Sequence, residues 1–273
     1  MSPSSEKSTV YVKLDSPSGS ASALISAHDG GRVASLVVDG MELLAPDTGA
    51  GPLAWGCYAM VPWAGRIRAG KFAFDGTTYN LPHNLGAHSI HGVGFERPWS
   101  VLGDARLGIE LAAPWPFGGS ATQSFALTDN TLSMTLVATA GSQAMPIVIG
   151  WHPCMRRVLT RGETAEVIFD PKWMWQRAAD GVPDGTRVEP SPEPWDDTFG
   201  GVTTAPVIRW PGALRLSFET DCPAWIVYTE RSDQVCVEPQ TGIPNAFNFD
   251  NPDILGAGES MELLLTLRWS HDA

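Results

Sequence analysis

The sequence is short of cysteine, of positive charge and of long apolar runs, and each shortage excludes something. Its four cysteines in 273 residues, Cys57, Cys154, Cys222 and Cys236, form no CxxC pair and no disulfide framework. Cys57, Cys154 and Cys236 lie in apolar or motif-rich stretches and read as reduced core thiols. Eighteen Lys and Arg stand against thirty Asp and Glu, a formal net charge of -12, which argues against a nucleic-acid partner. No segment approaches the roughly 20 apolar residues that span a bilayer, so no membrane partner is expected. Met1 to Ser8 is polar and lacks the apolar core of a secretion signal. A disordered tail over 1–8, a single domain over 9–273 and a cytoplasmic location are the expectation. No internal repeat is visible, and no stretch keeps apolar residues at helical spacing over three turns.

What remains is a β pattern. Hydrophobic residues make up 43%, and 22 prolines and 28 glycines are spread along the chain rather than gathered in repeats. Short strands joined by turns, in a sandwich or barrel, suit that pattern. Strand-like stretches run over 9–14, 21–27, 32–38, 107–111, 123–128, 131–139, 145–151, 165–169, 207–209, 214–218, 224–228, 235–238 and 261–269. Asp75-Gly76 between the stretches 71–74 and 78–81 is a hairpin turn signal. Short helical turns are expected near 54–59 and within 170–180. The stretch 184–202, rich in Pro, Gly, Asp and Glu, reads as a long surface loop.

Four segments hold residues that could do chemistry. Glu238 sits among apolar residues at a strand end, just before the turn Pro244-Asn245. A buried carboxylate needs a partner or a task, and a strand-to-loop junction is a common catalytic place. Arg66 lies between Gly65 and Ile67, and its fork of donors suits hydroxyls or a carboxylate; the alternative is a surface ion pair. Half of the six histidines, His83, His88 and His91, fall within nine residues. That clustering invites a metal, but the stretch lacks HExxH or a comparable fixed spacing, and no metal is expected. His152 ends an apolar strand ahead of Pro153, a rigid setting for proton transfer or for a satisfied core histidine.

Together these segments resemble the aldose 1-epimerase (mutarotase) family. The resemblance rests on Glu238-Pro239 with Thr241 and Pro244-Asn245-Ala246-Phe247-Asn248, on His91-Gly92 with Trp99, on Gly150-Trp151-His152-Pro153, and on Gly65-Arg66-Ile67 with Gly70-Lys71-Phe72. They occur in the family's order from about Gly30-Gly31 to the terminal strand. The resemblance implies a large antiparallel β-sandwich with a sugar in an open cleft, and no cofactor. It implies that Glu238 takes the proton of the C1 hydroxyl and His152 protonates the ring oxygen. Arg66 and His91 would position the sugar, and Asp196, in Asp196-Asp197-Thr198-Phe199, would bind its hydroxyls. One or more of Trp63, Trp99, Trp151 and Trp195 would stack on a sugar face. The chain departs from the family's usual pattern at Gly65, Val93 and Cys154-Met155. A hexose-6-phosphate 1-epimerase would want a cationic cluster, for which Arg66, Arg68, Lys71 and Arg97 are available. A sugar-binding sandwich without turnover is the third reading. A monomer or a homodimer fits the composition.

Overall fold

Asp75-Gly76 makes the turn its sequence predicts. Phe74 pairs with Thr77 across it, and both turn residues have positive φ, 47° and 71°, the requirement of a type I′ hairpin. A computed structural model describes residues 10–250 and 252–272; the tail expected over 1–8 lies outside them.

Among the described residues the chain is nearly all strand, arranged in an eleven-stranded and an eight-stranded antiparallel sheet with three small two-stranded pairs. The two large sheets form a β-sandwich. In the eight-stranded sheet, Thr131–Thr139 lies between Ser120–Leu127 and the long terminal strand Ser260–His271. Leu132, Met134, Leu136 and Ala138 on the first of these are all fully buried, and the residues between them are only partly buried. That alternation is what an antiparallel sheet shows when one face meets a core and the other meets water.

The centre of the eleven-stranded sheet is different. Gly150–Arg156 is buried at all but its last residue and Gln234–Gln240 throughout. Both faces are covered. Trp151 points to the inner face, where its ring meets Phe125 of the opposite sheet at 6.4 Å. His152 therefore points to the outer face, since neighbours on a strand alternate. The register that pairs Gly150 with Gln240 and Cys154 with Cys236 puts His152 directly across from Glu238. The same row continues from Tyr58 to His152 on one side, and from Glu238 through Ile226 and Thr198 to Trp175 on the other.

Four expectations are corrected here. The helical turn near 54–59 gives way to the strand Cys57–Met60, and that within 170–180 to Trp173–Arg177. The expected loop over 184–202 holds the strand Asp196–Gly200 and most of Pro183–Val188. Strand propensity failed there because Asp196, Asp197 and Arg177 carry charges that only tertiary pairing neutralises. The run 145–151 is split, since Met145–Pro146 pairs with Ile254–Leu255 before Gly150–Arg156 joins the large sheet.

Candidate active site

The row of residues on the outer face of the eleven-stranded sheet floors a cleft of about 440 Å³. Glu238, His152, Thr198, Ile226 and Trp175 supply the floor, and Arg66, His91, Asp196, Arg177 and Gln240 stand around it. Sequence reasoning named five site residues, Glu238, His152, Arg66, His91 and Asp196, and the fold brings all five to this cleft.

Glu238 and His152 touch. Nε2 of His152 lies 3.2 Å from Oε1 of Glu238, with both side chains at least nine-tenths buried. Burial pushes the Glu238 carboxyl up to about 7 against the opposing pull of His152. Burial works against charge on His152, but the Glu238 carboxylate and the Cys154 sulfur outweigh it and bring the ring to about 9. The pair thus holds one group ready to accept a proton and one ready to give it near neutral pH. Gln240, two residues on along the same face, points its amide nitrogen at the second Glu238 oxygen at 3.5 Å. Its own carbonyl oxygen is buried with no hydrogen-bond partner.

His91 is held in an unusual backbone state. Its φ is 60° and that of Gly92 is 77°. A left-handed histidine costs on the order of 1–3 kcal/mol and persists where the surroundings enforce it, often at functional sites. At Gly92 a Cβ would run into the Val61 carbonyl, so only glycine fits. The Gly65 amide donates to Nδ1 of His91 at 3.2 Å, which puts the ring proton on Nε2. Gly65 is itself at φ 68°, and a Cβ there would meet Pro244 at 2.6 Å. Burial first, then the charges of His152 and Arg66, hold His91 well below its usual pKa. It is a neutral donor.

Arg66 and Asp196 meet at 3.2 Å, and Arg177 also reaches Asp196 at 3.1 Å. Arg66 is thus both the ion-pair partner and the cleft residue that its sequence context left open. Arg32, absent from the sequence reading, is fully buried beneath the site. It donates to the carbonyls of Asp29, Pro52, Trp55 and Phe95 at 2.6–3.0 Å and lies 4.9 Å from the Tyr58 ring. Tyr58 in turn stacks on His152 at 4.6 Å between centroids.

One expectation does not hold. None of Trp63, Trp99, Trp151 and Trp195 lines the cleft; Trp175 does. The first three fill the core between the sheets. The three clustered histidines do not converge on one point either. His83 hydrogen-bonds the Ala69 carbonyl at 2.9 Å, and His88 accepts from the Ala69 amide at 3.1 Å, both as structural braces of that loop. Only His91 reaches the cleft. Donor atoms of His91, His152 and Glu238 lie within 4.8 Å of one another, as do those of His152, Cys154 and Cys236. Among the described residues, these are the groups whose spacing could hold a metal ion. The cationic group of Arg66, Arg68, Lys71 and Arg97 is dispersed as well. Arg68 pairs with Asp180 at 2.7 Å, and Arg97 caps the carbonyls of Ala112 and Ala113.

Trp175, Thr198, Arg177 and Gln240 were not singled out from sequence. Three of them lie on the strands whose polar composition hid them; for Gln240 the signal was its place two residues beyond Glu238.

The fold recurs in solved structures. An aldose 1-epimerase candidate from Escherichia coli K12 matches with TM-score 0.83 at 23% identity, over 96% of this chain and 99% of that one. A galactose mutarotase-like protein from Clostridium acetobutylicum matches with TM-score 0.82 at 18%, over 97% and 100%. The galactose 1-epimerase of Lactobacillus acidophilus NCFM matches with TM-score 0.81 at 15%, over 100% and 98%. At these identities the likeness is one of fold. The uncharacterized protein YphB of Escherichia coli (strain K12) is 30% identical over 134 residues, and the match spans about half of each protein, 46% of both. The model of the aldose 1-epimerase family matches residues 12–268, and with that extent the chain belongs to the aldose 1-epimerase family.

Proposed function

We propose that the chain interconverts the α and β anomers of an unphosphorylated hexose by acid–base ring opening and closure. The observation that carries this is the 3.2 Å contact of Glu238 with His152 on the cleft floor. Ring opening takes a proton from the hydroxyl on C1 and gives one to the ring oxygen, and both oxygens sit on that one carbon. A base and an acid in mutual contact match such a substrate edge. Glu238 accepts the hydroxyl proton, and His152 donates from Nε2 to the ring oxygen. The C1–ring oxygen bond breaks and the C1 carbonyl forms. The carbonyl rotates, and the reverse transfers close the ring on either face. Each proton transfer contributes on the order of 10²- to 10⁴-fold. His91, Arg66 and Asp196 hold the sugar.

The charges around the cleft favour a neutral sugar. Arg66 and Arg177 are matched by Asp196 and Asp197, and Arg231 by Asp233. A phosphate would want unmatched donors. The test is anomer exchange followed by NMR with galactose, glucose and glucose 6-phosphate. Acceleration with a free sugar that Glu238→Gln loses is the expected result. Acceleration confined to glucose 6-phosphate would move the substrate to the phosphorylated class. Saturable binding with no acceleration would leave a carbohydrate-binding sandwich and end the enzyme reading.

A further inference from the structure

Two thiols lie directly behind the histidine. Cys154 and Cys236 face each other across neighbouring strands. The Thr241 amide bonds the Ile149 carbonyl at 2.9 Å and the Arg157 amide the Asp233 carbonyl at 3.0 Å, which mark the hydrogen-bonded positions of this pair of strands. Counting by twos, Cys154 and Cys236 occupy a non-hydrogen-bonded position, where side chains approach most closely. Both are fully buried. Cys154 lies two residues from His152 on the same face, and its sulfur is 3.4 Å from Nδ1 of that ring. The thiol can instead donate its single proton to the Leu53 carbonyl, 3.7 Å from the same sulfur.

A histidine that gives a proton into the cleft must carry it on Nε2, the nitrogen facing Glu238. In a neutral ring only one nitrogen is protonated, and its partner on the other side decides which. The neighbours of the ring are Tyr58 stacked on one face, His91 edge-on at 5.0 Å, Glu238 at Nε2 and Cys154 at Nδ1. Tyr58 and His91 offer no contact to Nδ1. Among the described residues the sulfur is the side-chain group at Nδ1, with the backbone carbonyl of His152 itself also interacting with the ring.

Building on the function proposed above, we propose that Cys154, backed by Cys236, is a positioning residue that binds Nδ1 of His152 and keeps the proton of Nε2 directed at the sugar. A thiol donating to Nδ1 leaves the ring proton on Nε2. A sulfur accepting from Nδ1 of the charged ring leaves both nitrogens protonated. Either state presents Nε2–H to the cleft.

The test joins spectroscopy to kinetics. Protein labelled with ¹⁵N-histidine is compared as wild type, Cys154→Val and Cys154→Ser, with His152→Gln identifying the ring signals. Wild type is expected to show Nε2 protonated both in the charged ring and, once pH passes about 9, in the neutral ring. Cys154→Val is expected to populate both tautomers when the ring is neutral, and Cys154→Ser, whose hydroxyl can donate to Nδ1, to restore the wild-type pattern. In anomer exchange Cys154→Val is expected to lose about tenfold in kcat, the worth of one hydrogen bond, with KM unchanged. A bare Nε2 in wild type would overturn the proposal, and so would wild-type spectra or wild-type kcat in Cys154→Val. Should Cys154→Val fail to fold, the bare-Nε2 criterion and Cys154→Ser decide alone, since a Ser variant with scrambled tautomers also overturns it. Should wild type turn over no sugar, the proposed function fails while the spectra still judge the sulfur's hold on the ring.

Discussion

The two large sheets solve the same burial problem in opposite ways. The eight-stranded sheet buries one face and wets the other, so Thr131–Thr139 alternates residue by residue. The eleven-stranded sheet buries both faces at its centre, and the outer face of Gln234–Gln240 carries Cys236, Glu238 and Gln240 in a fully buried row. Apolar packing supports the first sheet. The second keeps buried polar groups that cost stability unless each is paired. The inner faces of both sheets share the apolar core, and the chemistry is confined to the outer face of one of them.

The sharpest way to break that division is to exchange the two kinds of damage. Glu238→Gln is expected to lower kcat for anomer exchange by about 10³-fold, the worth of a general base, with little loss of thermal stability. Leu265→Ala, on the fully buried face of the terminal strand, is expected to cost about 2–5 kcal/mol in denaturant unfolding while the surviving folded protein keeps its kcat. A Glu238→Gln variant that unfolds, or a Leu265→Ala variant that loses kcat while folded, would erase the contrast.

The pH profile sharpens the comparison next. Glu238 must be ionised to act as a base, so activity rises as pH passes about 7. His152 must be protonated to act as an acid, so activity falls as pH passes about 9. A bell with limbs near these values is expected for kcat/KM, and the limbs belong to the coupled pair. The groups facing the pair are Tyr58, His91, Cys154 and Gln240, with Arg66 and Asp196 farther out; His91 stays neutral throughout. A flat profile between pH 6 and pH 10 would argue that neither group transfers a proton.

The smallest expected effect is on binding. Trp175→Ala removes the aromatic at the far end of the floor and is expected to raise KM about fivefold at constant kcat, the range of one aromatic contact. Trp151→Ala, in the core beneath the same sheet, is expected to lower stability and leave KM alone. Equal KM changes in both would mean that Trp175 is packing rather than binding surface.

The same contrast explains what could be read in advance. Leu214–Glu219, Thr131–Thr139 and Ser260–His271 were visible as strands within a residue or two, because alternation encodes a one-sided sheet. Trp173–Arg177, Pro183–Val188 and Asp196–Gly200 were not. Their charged residues look like loop until Arg177 is seen to pair with Asp196 and Asp197. Glu238, His152, His91, Arg66 and Asp196 were legible through motif order, while Arg32, Arg177 and Trp175 had no local signature and Thr198 stood unremarked inside Asp196-Asp197-Thr198-Phe199.

By itself, the sequence determined that this chain is a β protein, where most of its strands lie and which histidine and glutamate to watch. Those follow from turn chemistry, side-chain period and residue type, all of which act over a few neighbours. Only the tertiary structure decided that Glu238 stands opposite His152, that Cys154 lies behind the ring, and that Trp175 rather than Trp151 faces the cleft. Strand register between segments some 86 residues apart sets those contacts, and register is fixed by which faces the two sheets bury together.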